Sequence, residues 1–533
     1  EKTLVSGMIA VVQHQELVII RMATPNEKLA ASLARLKELQ EGGRMVFQSG
    51  EFGRVHRERL LQNGFLREAL KGWLISTSPT AAEGDTTPWY ASFWEFCARY
   101  AGERFGSQWH LSPEQSLMLH AENTVIPAQV ILYSAKGKNN TTNLLFGTSL
   151  YDLKESAMPP AADLTVRNGL RLFTPAAALL KVPEAFYVRA PVEAQVALNT
   201  IKDSSEILSG LLEGGHSVVA GRLAGAFRRA GRSVHADEIV KTMRGAGYNV
   251  RESDPFALEQ RLSALEPGVS PVVGRIKALW ETYRGAVLEI FPKVPGLPKD
   301  TKAYLAAVDD IYKNDAYHSL SIEGYTVTLD FIERVRSGNW NPDVNQADSQ
   351  NRDALAARGY WQAFERVKDS VAKIIEGADP GTLVRGASRD WYRELFQPSV
   401  AAGLLSAGAL AGYRSIPVYL RGSRHVPPRW ESIPDAMSEL FDLLEKEKEP
   451  SVRAVLGHWM TGYIHPYPDG NGRTARFLMN AMLASGGYPW TVIRVEDRQT
   501  YLEALESVSV GGDIKPLAAF IAERVQWSIE QAG

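Results

Sequence analysis

The chain has 533 residues, 45% hydrophobic and 23% charged, and its 59 Lys plus Arg against 61 Asp plus Glu leave a net charge of −2. At roughly 100–200 residues per domain this predicts three or four domains, and the near balance of charge excludes a histone-like chain or a polyanionic tail. The single cysteine, Cys97, excludes an intramolecular disulfide framework and a multi-cysteine zinc site.

No apolar run approaches the roughly 18 residues of a membrane span. The nearest, Met8 to Met22, is broken by Gln13-His14-Gln15-Glu16 and lacks a small-residue cleavage site. This predicts a soluble, cytoplasmic protein with no membrane partner. The chain opens on Glu1, and Met22-Ala23-Thr24-Pro25 reads as a start, so residues 1–22 are expected to be a tag or flexible N-terminus. Joints rich in Pro, Gly, Ser or Thr at Ser76–Pro88, Lys154–Asp163 and Phe291–Asp300 propose domains over 23–78, 86–265 and 270–530, and Ser337–Ser349 reads as a loop inside the last.

In the first region Asn26 is expected to cap a helix over 27–40, with Leu29, Leu33, Leu36 and Leu39 on one face. A second helix, Arg54 to Gln62, is followed by a turn at Asn63-Gly64 and an alternating strand pair over 65–75. This order resembles a winged helix-turn-helix. The resemblance makes Arg54, Arg57, Arg59 and Lys71 candidate DNA-binding residues, the helix in the major groove and the wing on phosphates. A solvated helix face on a partner-binding wing is the other reading.

In the middle region Trp89 to Phe105 reads as helical, and Ser112-Pro113-Glu114-Gln115 opens another helix. Val125–Tyr133, Asn143–Tyr151 and Asp163–Leu172 read as strands. Two helices over 222–248 carry Arg222, Arg228, Arg229, Arg232, Lys241 and Arg244, a nucleic-acid face or, more often for such a stretch, a solvated helix surface. His110 and His120 read as packing or surface residues. Residues 27–250 together resemble the AbiEi-type winged-helix regulators, which makes 86–265 an AbiEi-like α/β region.

The chemistry concentrates at His465-Pro466-Tyr467-Pro468-Asp469-Gly470-Asn471-Gly472-Arg473-Thr474-Ala475-Arg476, a loop between an apolar helix over 452–464 and a second helix over 474–485. Glycines at a helix N-terminus form an anion nest aided by the helix dipole. Arg473 and Arg476, three apart, are expected to face one side and fork onto phosphate oxygens. Asp469 offers a hard oxygen for Mg²⁺ shared with phosphates. His465 is the titratable base beside them. A base, a metal carboxylate, a nest and two arginines point to phosphoryl or nucleotidyl transfer, whereas a plain surface turn explains the glycines alone.

The string resembles the motif of the Fic (filamentation induced by cyclic AMP) family, with Tyr467 in place of the usual Phe. The resemblance implies a protein adenylyltransferase that moves AMP from ATP to a Ser, Thr or Tyr hydroxyl. His465 would be the base, Asp469 the Mg²⁺ ligand, and Gly470, Asn471, Gly472, Arg473 and Arg476 the phosphate site. Gly472 argues against the kinase-like branch, which has lysine there. Ser319-Leu320-Ser321-Ile322-Glu323-Gly324 resembles the family's inhibitory helix, expected over 315–324, in which Glu323 competes with phosphate for Arg476. Some relatives use this glutamate to remove AMP as well. Ile416–Pro428 resembles the flap, expected as a hairpin turning at Gly422-Ser423, with Leu420 and His425 near the docked target. Tyr501 aligns with a nucleotide-side tyrosine, and Ser509 stands where some relatives have asparagine. The implied fold is multidomain and mainly α: an all-α Fic fold with a small β-hairpin flap, preceded by the winged-helix and α/β regions. The implied partners are ATP, a protein target or the chain itself, DNA through the winged helix, and a homodimer. The implied setting is the bacterial cytoplasm. Another nucleotide, or a diphosphate donor such as CDP-choline, stays open. So does a DNA-binding regulator of toxin–antitoxin type whose Fic domain is a nucleotide-responsive module.

Overall fold

The computed structural model describes residues 24–82, 84–266, 268–338 and 352–532. The expected N-terminal tag, and all of the expected 337–349 loop beyond Gly338, lie outside these. The described chain is mainly helical and forms two compact units. One takes the chain up to His110 together with Pro127–Met158 and Val166–Arg171, and the other takes the remainder. Among the described residues no helix is long and apolar enough to cross a membrane.

In the first unit, α1 (Pro25–Leu39) begins at Thr24 rather than Asn26. The Thr24 side chain accepts from Glu27 N, and the Glu27 carboxylate accepts in return from Thr24 N at 2.7 Å. This reciprocal box, with Pro25 in the first turn, satisfies two orphan donors that Asn26 would leave unpaired. Then come β1 (Val46–Gln48), α2 (Arg54–Gln62), β2 (Leu66–Leu70) and β3 (Trp73–Ser76), in a three-stranded antiparallel sheet of order β1-β3-β2. The apolar face of the sheet covers Leu36, Phe52 and Leu60. After α3 (Thr87–Phe105), β4 (Gln129–Ser134) pairs parallel with β6 (Ser149–Lys154), and β5 (Asn140–Asn143) pairs antiparallel with β6.

The second unit holds two cores. In the smaller, short helices over 175–245 pack around Leu179, Leu198, Leu223, Phe227 and Ile239. Its arginines tie these helices together: Arg222 donates to Val182 O, Arg232 to Leu198 O and Arg244 to Val250 O, while Arg228 pairs with Glu252 and Asp237.

The larger core contains the site. Its main helices are α4 (Pro271–Ile290), α5 (Thr301–Ile322), α6 (Arg352–Ile375), α7 (Pro380–Ala401), α8 (Ile433–Lys446), α9 (Pro450–Ile464), α10 (Asn471–Ala484), α11 (Arg498–Ser509) and α12 (Lys515–Ala532), with a short helix over Leu329–Arg336 beside them. Every residue of α9 except Gly462, and every residue of α10 except Gly472, is buried. A helix buried on every side stands at the centre of a bundle, and its polar residues need partners there. The antiparallel pair α9–α10 is therefore the axis on which the other helices pack, and it presents its connecting loop rigidly at one end.

Candidate active site

The loop between α9 and α10 is held by local chemistry. α9 ends at His465, which caps it in the left-handed region at φ 51°. That conformation costs a non-glycine residue about 1–2 kcal/mol. His465 N donates to Thr461 O, and Arg414 Nε donates to His465 O at 2.9 Å. Asn471 closes the loop by accepting from Tyr467 N and donating to Tyr467 O, both at 2.9 Å. Tyr467, 1% exposed, stacks on Tyr392 with ring centroids 4.0 Å apart, so the Phe-to-Tyr departure is accommodated in the core. Gly470 takes φ 79°, and a Cβ there would lie 2.8 Å from the Phe396 ring, so both conformation and space call for glycine.

α10 then starts at Asn471, and the first helical bond runs from Thr474 N to Gly470 O. The N–H groups of Asn471, Gly472 and Arg473 therefore have no partner within the helix and form an anion-binding terminus. A carboxylate already stands there. Glu323, at the C-cap of α5, accepts from Arg476 Nη2 at 2.7 Å, and a Cβ at Gly472 would collide with its Oε1. Arg476 also donates through Nε to Ser319 Oγ at 2.9 Å and through Nη2 to Ser319 O at 3.1 Å. Burial favours the neutral acid, but the Arg476 charge and hydrogen bond, with Arg473 and His465 beyond, outweigh it and hold Glu323 below the ordinary carboxylate range. Gly324, at φ 85°, ends the turn after α5, and Arg498 Nε donates to Ile322 O at 2.9 Å, capping the end of α5 from α11.

A cavity of ≈ 620 Å³ opens beside this loop, lined by His465, Gly472, Arg476 and Glu323, by Tyr501 and Ser509 on α11, and by the flap from Tyr419 to Ser423. Its size suits a nucleotide. Burial pushes the His465 imidazole down to about 4. The ring is therefore neutral at pH 7, the state in which it accepts a proton. Tyr501 hydrogen-bonds His458 Nε2 at 2.7 Å and is 3% exposed, so its hydroxyl is engaged inside the wall. Ser509 Oγ accepts from Trp459 Nε1 at 3.0 Å.

Several expected residues stand differently. Arg473 does not share the cavity with Arg476. It is 1% exposed and lies between the Tyr325 and Phe396 rings, 5.2 and 5.1 Å from their centroids, because the apolar groove under the loop captures its guanidinium. Asp469 is exposed; its Oδ1 accepts from Gly470 N and its Oδ2 lies 3.5 Å from Arg473 Nη2. Among the described residues no group of three or more His, Cys, Asp or Glu could hold a metal. The donor set thus fits an ion held by one carboxylate and a bound phosphate, not a protein cage.

The flap forms no strand pair. Pro417, Pro427 and Pro428 lack the N–H donors a ladder needs, and the turn falls at Arg421-Gly422, closed by Ser423 N on Leu420 O. Leu420 lines the cavity. His425 lies under the flap, 1% exposed, with Nε2 on Tyr463 O at 2.8 Å. On α2, Arg54 pairs with Glu58 and Arg59 donates to Lys28 O and Ser32 Oγ of α1, while Arg57 Nη1 reaches Ser49 O at 3.5 Å and Lys71 is exposed. His110 bonds Glu155 and His120 bonds Phe173 O, so both are packing residues.

Sequence reasoning did not find Arg414, which is 3% exposed and donates to the carbonyls of His465, Ile416 and Pro428. It sits in no motif, and all its acceptors are backbone atoms, so no residue pattern announces it.

Loop, nest and glutamate-occupied arginine define a class. Residues 386–483 match the family described as Fic/DOC, and this part of the chain is a Fic domain. The chain is 30% identical over 260 residues to "Protein adenylyltransferase Fic" of Nematostella vectensis, covering 48% of this chain and 57% of that one. It is 28% identical over 228 residues to the protein of the same name from Drosophila willistoni, covering 42% of each. The chain spans about half the length of these curated relatives. Both are animal proteins and lend no support to the expected bacterial setting. A solved structure of Fic-1 from C. elegans covers 64% of this chain and 97% of its own at 18% identity and a TM-score of 0.36. One of a Fic domain containing signaling protein from Bacteroides thetaiotaomicron covers 49% and 95% at 20% identity and a TM-score of 0.34.

Proposed function

We propose that this chain is a protein adenylyltransferase that moves AMP from ATP to a protein hydroxyl and is restrained by Glu323. The observation that carries this reading is the Glu323 carboxylate on Arg476, at the free N–H groups of α10 and inside the cavity of His465. A carboxylate there mimics a phosphate oxygen and competes with one for the same donors.

The target hydroxyl gives its proton to neutral His465 as its oxygen attacks the α-phosphorus, and pyrophosphate leaves. The α10 N–H groups and Arg476 offset charge that develops on the phosphate oxygens. Arg473 acts from beneath, through Asp469. Mg²⁺, when bound, would be held by Asp469 with the nucleotide's phosphates and would neutralise part of their charge. For the region before residue 78, the order helix, strand, helix, hairpin supports binding of DNA or a partner, with Arg54 and Lys71 among its exposed cations.

The test is mass spectrometry of Glu323→Gly protein incubated with ATP and Mg²⁺. The expected outcome is a gain of one AMP on a Ser, Thr or Tyr side chain, far above wild type. Equal labelling of the two proteins removes the restraint by Glu323, and labelling of neither removes the activity.

A further inference from the structure

The flap has no ladder of its own, yet it is anchored at three places. At its ends Arg414 donates to Ile416 O and Pro428 O. Near the tip, Glu506 on α11 accepts from Ser423 Oγ and from Arg424 N. The third anchor comes from chain that precedes the Fic match by more than a hundred residues, and it is a closed circuit.

The circuit begins at Asn123, whose Nδ2 donates to Glu193 Oε1 at 2.8 Å. Arg275 Nη1 donates to the same oxygen at 2.7 Å, and Arg275 Nε donates to the Tyr463 hydroxyl at 2.8 Å. Tyr463 lines the cavity two residues before His465. Its carbonyl accepts from His425 Nε2 at 2.8 Å, and the two rings stack with centroids 4.2 Å apart. A carbonyl can only accept, so Nε2 carries the His425 proton. The preceding flap residue, Arg424, accepts at its carbonyl from Ile126 N at 2.8 Å. Ile126 lies one residue past Val125, whose N–H is held by Asn123 Oδ1 at 3.0 Å, and there the circuit closes.

We propose that Glu193 and Arg275 are positioning residues for the transfer reaction, which set the flap and the Tyr463–His465 wall in one fixed relation through Tyr463, His425 and the Asn123–Ile126 strut. Glu193 and Arg275 are 7% and 6% exposed and touch neither the nest nor Arg476. A buried pair supplies directional hydrogen bonds that an apolar pair cannot, and it therefore specifies register. One flap carbonyl, Arg424 O, is already taken by Ile126, so an incoming target segment finds the flap preset instead of ordering it on arrival. This lowers the entropic cost of docking. A misplacement of about 1 Å between attacking and reacting atoms costs about 10²-fold in rate, which is the scale on which such a brace acts.

The inference rests on the adenylyltransferase reading, and its test has one readout that does not. Glu193→Gln keeps an acceptor for Asn123 and Arg275 but removes the charge; Tyr463→Phe removes only the hydroxyl and serves if the first variant fails to fold. Hydrogen exchange of amides 416–428 is measured in full-length protein. In the Glu323→Gly background, kcat for self-labelling with α-phosphorus-labelled ATP is measured beside the ATP Kd.

The expected result is flap exchange and kcat each altered about tenfold, faster and slower respectively, at an ATP Kd within about twofold of the parent. Unchanged exchange and kcat overturn the proposal. So does a parallel loss of ATP affinity, which would mark general damage to the cleft. Faster flap exchange in a protein that never self-labels separates the two readings: the brace stands and the transfer activity falls.

Discussion

Two short helical segments of this protein carry arginines three or so residues apart, and they use them in opposite ways. On α2, Arg54 is spent on Glu58 at the surface and Arg59 on the end of α1. At the start of α10, Arg476 is buried and gathers a serine hydroxyl, a serine carbonyl and a carboxylate from a helix 153–157 residues earlier in the chain. The local charge count is similar; what differs is convergence. An exposed cation in water gains little from one partner, whereas a desolvated one aimed into a cleft must be satisfied by an anion, from the chain or from a ligand.

The largest effect that would sharpen this contrast is at His465. In the Glu323→Gly background, His465→Ala should lose about 10²–10⁴-fold in labelling rate. Because burial holds the imidazole at about 4, the acid limb of kcat/KM in the parent should lie far below pH 6.5, activity falling only as pH drops toward 4. The limb of kcat should lie higher, since bound triphosphate favours the protonated ring. A kcat/KM limb near 6.5 would break the assignment of a buried base.

A smaller effect belongs to Asp315, a turn before Ser319 on α5, which accepts from Tyr360 OH at 2.7 Å. Burial raises it to about 6. The folded state therefore holds this proton more tightly than the unfolded chain, and stability falls as pH rises between about 4 and 6. Asp315→Asn should stabilise the protein above pH 6, by on the order of 2 kcal/mol, and change little at pH 4. Thermal unfolding at both pH values checks the sign.

The smallest effect is on the other side of the comparison. Arg59→Ala should cost about 1 kcal/mol of stability through its lost bonds to Lys28 O and Ser32, while Arg54→Ala should leave the melting temperature unchanged. If DNA binding follows Arg54 and Lys71, a filter assay against salt shows a slope that drops with each substitution; a loss following Arg59 alone would reflect folding.

Much of the fold was legible because periodicity and caps are local. The helices flanking the active loop, the strand pair after Asn63-Gly64 and the two helices over 222–248 all follow from apolar spacing and turn residues. The alternation over 416–428 suggests a hairpin, but Pro417, Pro427 and Pro428 deny it a ladder. Spacing along a helix says that Arg473 and Arg476 are neighbours but not that Tyr325 and Phe396, from elsewhere in the chain, form a slot for Arg473 alone.

By itself the amino-acid string determined the loop from His465 to Arg476, since its turn, nest and helix start are properties of neighbouring residues. Only the tertiary structure decided that Glu323 pairs with Arg476 beside that nest, that Arg414 ties the loop to the flap, and that Arg275 joins Glu193 to Tyr463. Those contacts join residues far apart in sequence, and what selects them is the burial of charges and carbonyls that no local pattern records.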